Sequence, residues 1–585
     1  MKMIIRLEFK DVFPDEEIQS IDSYLASVNN EDIVRISAHI IAGVSHLEKW
    51  SNWEWLLNGT WFSEKNKDFA TKLYRKIKLL DFKNGSINET THSFVSKIDS
   101  LYFLEYALGL NINTNNRTVR PEEAEINLFK ALLLVNRDQN VKHNSGYSKI
   151  SESDLDAGVQ FFTPISVAER EFMDDSPFLI YYTLTAQLAK ALYCFQFFSE
   201  SNKEILNVFY EKYSCKDFNE YINAFSRIIN WIFINQNYSD GFSPVVFEID
   251  DSMIGFMENF IISSTIYDDI DFIALRTRPI IKYDDKSYMV VYDLFVIQKI
   301  YNGLYFELKE IYDLIGERKK PLFRQYFTTE FSEKFLLYNV MQSIYSKRSY
   351  IQFSGTEIEK YTLGGADYYI RNGNKVFLFE NKDIFISGKV KTSYSMKNIA
   401  STIDEKLVNV KGLPQIINNI KMILNGIYKF DIGLKQSKCI IYPILVIHDS
   451  SLNAVGINTY LNNKFKSMLY KMENEGYDIK KIKSLTVINI DTLIILRDAI
   501  SSKRIILETA IDEYNKYLKK AKSKLNNNKF TISQIGSYEY ASAVSFDDFL
   551  LTVYVKDNKI SISNEMKKWF KNSFLIDYNK IDRNN

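Results

Sequence analysis

Between Ala366 and Lys382 two apolar runs meet at Asn372-Gly373, and this junction leaves the backbone little alternative to an antiparallel hairpin. The spacing predicts strands over Ala366 to Ile370 and Lys375 to Lys382. Around them, helical periodicity over Glu330 to Tyr345 and Leu413 to Ile427 alternates with an apolar strand pattern at Ile440 to Ile447 and a further one at Ser484 to Ile490. A hairpin embedded in such alternation implies a mixed α/β sheet.

The rest of the chain carries a different pattern. Residues 1 to 240 read as mostly helical. Pro121-Glu122-Glu123 opens one helix with proline and acids in the first turn, Pro177 to Phe198 is apolar on nearly every side, and Phe218 to Ile234 is a third run. Pro279 to Tyr283 and Tyr288 to Val291 predict a small hairpin, Tyr305 to Leu314 a helix, and residues 502 to 525 a charged helix. With 585 residues the chain exceeds one ordinary core. The expected organisation is multidomain: a mostly α-helical N-terminal region (1–240), a small β-containing connector (241–315), an α/β domain with a mixed central sheet (316–500) and a C-terminal helix with a small α/β appendage (501–585). Only 21 glycines and 9 prolines speak against long linkers and repeat-type β architectures.

Lys+Arg and Asp+Glu are equal at 73 each, so overall charge selects no partner. Three widely separated cysteines (Cys194, Cys215, Cys439) build neither a disulfide framework nor a zinc site. The N-terminus lacks the apolar core of a signal peptide, and no apolar stretch has the length of a membrane span. A reducing cytoplasm is the expected location, with no membrane partner. No G-x-x-x-x-G-K-[ST] loop and no serine nucleophile elbow occur.

The chemistry concentrates in the hairpin. Pairing across Asn372-Gly373 brings Asp367 towards Glu380, and strand alternation puts Glu380 and Lys382 on one face. Two close carboxylates repel unless a cation lies between them. A hard divalent ion such as Mg²⁺ suits an all-oxygen donor set, and an adjacent lysine suits a water or phosphate in hydrolysis. The tripeptide pattern E-x-K is not informative alone: Glu307-Leu308-Lys309 and Glu565-Met566-Lys567 also carry it, in helical contexts. Only Glu380 follows an apolar strand and a hairpin turn with an acid before it.

The segment from about Glu330 to Ile447 resembles the PD-(D/E)XK nuclease superfamily, which includes restriction endonucleases and Holliday-junction resolvases. The resemblance implies a restriction-endonuclease-like fold, Mg²⁺ or Mn²⁺ as cofactor and DNA as substrate, with RNA also open. Asp367 matches the first acid, and Glu380-Asn381-Lys382 match E-x-K, with the Asn381 carbonyl as an additional ligand. Glu333 matches the acid that many members carry on the first helix, with Glu330 as competitor. Gln415 matches a glutamine on the later helix. Ala366 stands where the name-giving motif has proline. A role in prokaryotic antiviral defence or DNA repair follows by analogy. The other class of function is a nucleic-acid-binding or protein-interaction scaffold with an inactive nuclease fold, with the helical N-terminal region as a surface for a protein partner or for oligomerisation.

Nine lysines lie between Ile384 and Lys438 against three acids, a net of +6. Such a segment is either a phosphate-binding face beside the site or a solvated surface. Lys389, Lys391 and Lys397 are the candidate nucleic-acid contacts, and Lys389 and Lys391 alternate as strand neighbours would. Trp50, Trp53, Trp55 and Trp61 crowd one stretch, either as core between helices or as stacking platforms for bases. His39 and His46 read as structural.

Overall fold

In a computed structural model, the residues described are 5–26, 28–44, 61–83, 92–110, 120–147, 157–172, 177–238, 244–265, 269–284, 286–315, 321–346, 350–525 and 532–554. Trp50, Trp53, Trp55, His46 and Glu565 lie outside them. Packing divides the chain into two units built from interleaved segments. The first holds 1–145, 171–183 and 210–303, and the second holds 146–170, 184–209 and 304–585.

The first unit is largely helical. Its helices include Asn30–Val44, Lys97–Gly109, Pro121–Tyr147 and Phe218–Tyr238. The predicted hairpin is present as Ile280–Lys282 against Ser287–Val290, and Val246–Glu248 adds a third strand on the other side of Ser287–Val290. Trp61 packs edge-on against Phe94 and Phe129, so this tryptophan is part of an aromatic core.

The second unit contains a five-stranded mixed sheet: β1 (Ile351–Ser354), β2 (Tyr368–Asn372), β3 (Lys375–Lys382), β4 (Ile440–Ile447) and β5 (Thr486–Asn489), in the spatial order β5-β4-β3-β2-β1. β1, β2 and β3 form an antiparallel meander. β4 and β5 join in parallel, as their long helical connections require. The β2–β3 turn is centred on Gly373-Asn374, since Asn372 pairs with Lys375. It lies one residue beyond the Asn-Gly pair because Gly373 takes the positive φ (62°) that the first central position of a type II′ turn needs.

β3 is central and buried along nearly its whole length. Its even-numbered side chains Val376 and Leu378 share a core with Ile416 and Ile420 of helix α2 (Leu413–Leu424) and with Leu461 and Phe465 of helix α3 (Ile457–Asn474). Tyr368 belongs to the opposite face, where its hydroxyl accepts from Gln342 Nε2 at 3.0 Å. Gln342 lies on helix α1 (323–345), so the sheet has helices on both faces. α1 begins at Phe323, earlier than the sequence periodicity indicates, and its middle, Phe327–Leu337, is wound as a π-helix. The predicted strand at 366–370 starts two residues late, because Ala366 and Asp367 form the approach to β2. β1 has no sequence expectation to match. No helix among the described residues is long and apolar enough to cross a membrane.

Candidate active site

The register of the hairpin creates the site. Tyr368 pairs with Phe379, so the next residues outward, Asp367 and Glu380, face each other at the open end of β2 and β3. The Asn381 N–H donates to Asp367 Oδ2 at 2.7 Å, which orients the carboxylate across the strand end. Lys382 Nζ lies 2.6 Å from Glu380 Oε1, 3.0 Å from the Asn381 carbonyl oxygen and 3.7 Å from Asp367 Oδ2. Three oxygens, two from β3 and one from the approach to β2, therefore converge on one ammonium group. Glu380 is 1% exposed, and its other oxygen, Oε2, is buried without a hydrogen-bond partner.

Burial sets the electrostatics. It pushes the Glu380 carboxyl up to about 8, helped by Asp367 and opposed by Lys382. Burial also raises Asp367, against the pull of Lys382 and of the Asn381 N–H. Desolvation works to lower Lys382, but Glu380 and Asp367 outweigh it and the ammonium is held above its ordinary value. Glu333 projects from the π-helical turn of α1 into the same field: burial first, then Asp367, push its carboxyl up to about 7, with Lys382 and Lys334 acting the other way. Glu330, the competitor, is turned to the surface and pairs with Lys334 at 2.9 Å.

The structure thus brings Asp367, Glu380, Asn381, Lys382 and Glu333 together. Gln415 plays a local part: its Oε1 accepts the Gly412 N–H at 2.9 Å, which caps the start of α2. Lys389 and Lys391 are not strand neighbours. They sit in a single helical turn, Gly388–Lys391, and Lys397 in the helix Met396–Ile403. Ser387 and Ser395 cap these helices, a local preference that overrides the alternation. Lys389 and Lys397 are exposed. Part of the segment's charge is engaged: Lys421 pairs with Glu475, Lys406 donates to the Phe385 carbonyl, and Asp431 is buried under Arg371 and the Tyr369 hydroxyl.

Comparison with protein-family models, with curated proteins and with solved structures finds no match. What the site can do rests on its own geometry.

Several polar residues behind the strand ends carry no motif signal. His448, the residue after β4, approaches Asn381 Oδ1 with Nε2 at 2.9 Å. Burial holds this imidazole below its ordinary value, with Asp383 pulling the other way. Asp383 accepts from Ser332 at 2.5 Å and from Arg324 at 2.9 Å. Burial works to raise it, but His448 and Arg324 outweigh that and keep it below the ordinary carboxylate range. Arg324 in turn stacks over the Phe385 ring at 4.2 Å. Glu359, exposed at the end of the short helix Gly355–Glu359, adds a further negative charge that works to raise the carboxyls of Asp367 and Glu333. His448 lies 67 residues from Asn381 and has no local signature in the chain.

Among the described residues, no group of three His, Cys, Asp or Glu side chains has a metal-holding arrangement. The donor set is instead two carboxylates and a backbone carbonyl, all hard oxygens, with one buried carboxylate oxygen left unsatisfied. That chemistry fits Mg²⁺ or Mn²⁺, which commonly take one or two carboxylates and complete their shell with water and phosphate. It does not fit zinc.

Proposed function

We propose that this chain is a divalent-metal-dependent nuclease of the PD-(D/E)XK kind, hydrolysing phosphodiester bonds in DNA. The observation that carries the reading is the convergence of Asp367, Glu380 and the Asn381 carbonyl on the Lys382 ammonium at the end of a buried hairpin. The helix–meander–helix–strand order around it, with β4 joining β3 in parallel, supports the same reading. Asp367, Glu380 and the Asn381 carbonyl would hold the ion, which when bound supplies Lewis acidity to a phosphoryl oxygen and to water.

The chain's own residues then have separable tasks. Lys382, a cation held at the strand end, orients a hydrolytic water and offsets charge that develops on phosphate. Glu333, with its carboxyl raised to about 7, is suited to take a proton near neutral pH. Asn381 uses its N–H to fix Asp367 and its carbonyl as a donor.

One observation favours a second reading. The 2.6 Å ion pair of Lys382 with Glu380 already neutralises much of the cluster, as in a fold retained for binding and not for catalysis. Incubation of plasmid and single-stranded DNA with Mg²⁺, Mn²⁺ or EDTA separates the two. We expect metal-dependent cleavage that EDTA stops and that Asp367→Asn, Glu380→Gln and Lys382→Ala each reduce by roughly a hundredfold or more. Cleavage by all three variants at the wild-type rate would remove the activity from this site.

A further inference from the structure

The residue before Asp367 is alanine where the motif this site resembles has proline. The difference matters physically. Proline has no N–H and fixes its own φ, whereas alanine brings a donor and more freedom. Ala366 is buried, so its N–H needs an acceptor. The Tyr428 hydroxyl lies 3.2 Å away and accepts it, and the same hydroxyl donates to Asn419 Oδ1 at 2.7 Å. Tyr428 is itself fixed between the rings of Tyr369 and Phe430, with centroids at 5.8 and 4.7 Å. Asn419 is buried on α2. A helix on one face of the sheet is thereby connected to the peptide that precedes the first acid.

Asp367 is clamped from its other side as well. Its carbonyl accepts the Gly355 N–H at 2.8 Å, and a side chain at Gly355 would stand 3.1 Å from that oxygen and 3.3 Å from Asp367 Cα. At Gly365 an added Cβ would meet Ile358 Cγ2 at 2.3 Å. The backbone on either side of Asp367 is thus held at Gly355 and packed closely at Gly365, and Tyr428 holds it at the Ala366 N–H.

We propose that Tyr428, backed by Asn419, is a positioning residue for Asp367, doing with two hydrogen bonds what a proline ring would do covalently. The inference rests on the metal-binding reading of Asp367. Tyr428→Phe leaves the Ala366 N–H buried without an acceptor. Groups that orient ligands typically change metal affinity by about 10–100-fold. In calorimetric Mn²⁺ titrations of the full chain at pH 8, Tyr428→Phe should bind about 10-fold more weakly than wild type, and Asp367→Ala should show no binding at this site. Adding Ala366→Pro to Tyr428→Phe removes the orphaned donor and should recover most of the lost affinity. Ala366→Pro alone, with its ring carbon directed at the hydroxyl, should do harm. Affinity of Tyr428→Phe within twofold of wild type, or proline equally harmful in both backgrounds, overturns the proposal. If wild type and Asp367→Ala take up Mn²⁺ alike, the metal reading itself fails. Thermal unfolding of the four 366/428 combinations then decides: non-additive rescue supports the link, and additive effects refute it.

Discussion

Glu380 and Glu333 are the residues whose surroundings make a pH prediction possible. Their carboxyls are raised to about 8 and about 7 in the folded protein, while in an unfolded chain a glutamate titrates near 4.3. The folded state therefore holds protons that the unfolded state has released. The stabilisation from this source is complete below about pH 4.3 and is lost as pH rises through about 7 to 8. A divalent ion needs the charged forms, so it must displace these protons and binds better as they leave. The rise in Tm produced by Mn²⁺ should grow from pH 6 to pH 8.5, and Asp367→Ala should remove it. A metal-induced shift that stays flat or shrinks over that range would be incompatible with the assigned ligands. Asp367, Glu380 and Lys382 were legible in the chain because a hairpin turn and period-two alternation place them by counting. His448 and Tyr428 were not, since each reaches the site by a single long-range hydrogen bond.

Among elements, α1 matters most for the site. Its π-helical middle sets Glu333 and Ser332 towards the strand ends, and Arg324 in its first turn binds Asp383 beyond the end of β3. π-helical turns are uncommon and often occur at functional positions. Arg324→Met keeps the side-chain bulk over Phe385 but takes the guanidinium from a carboxylate that is 3% exposed. Breaking one side of a buried pair costs about 3–5 kcal/mol, and the low end applies here because Ser332 still donates and Arg324 is partly open to solvent. Urea unfolding should show that loss, and the double variant Arg324→Met, Asp383→Leu should regain part of it. A loss under about 0.5 kcal/mol would mean that Asp383 does not depend on α1 for its charge. The periodicity located this helix but not its start or its winding, because π-turns keep apolar residues inward while changing the residue count per turn.

On the scale of the whole molecule, the second unit draws on chain far outside the stretch that carries the motif. Val159 and Val167 share a core with Val376 and Leu378. Phe197 packs on Phe331 with centroids 5.6 Å apart, Lys190 pairs with Asp491 at 2.8 Å, and the Tyr394 hydroxyl donates to Glu169 at 2.9 Å. A fragment of residues 316–500 would expose these surfaces and leave Asp491 without its lysine. We expect it to lack a cooperative urea transition and to bind Mn²⁺ poorly, whereas the full chain should unfold cooperatively and bind the ion. Cooperative unfolding and wild-type Mn²⁺ affinity in the fragment would show that the segments 146–170 and 184–209 are dispensable for the site.

The chain by itself determined the hairpin, the alternation of helix and strand over 330–447, and the identity of the charged trio. These depend on φ/ψ preferences and on periods of 2 and 3.6 that act over a few residues. It also placed β3 and β4 to the residue, β3 because an apolar core, Val376 to Phe379, runs from the hairpin turn to Glu-Asn-Lys, and β4 because it is one long, largely apolar run. The Gln415 cap on α2 and the Ser387-capped turn that holds Lys389 and Lys391 are local too, three residues across, and show that a short-range cap can override period-two alternation. Tertiary structure alone decided that two early segments complete the second unit. It alone supplied β1 and the pairing of Tyr428 with Ala366. Such features arise from contacts between residues well separated along the chain, 62 positions for Tyr428 and Ala366. Whether a polar side chain turns inward is settled there by which partner remains to satisfy it once water has been excluded.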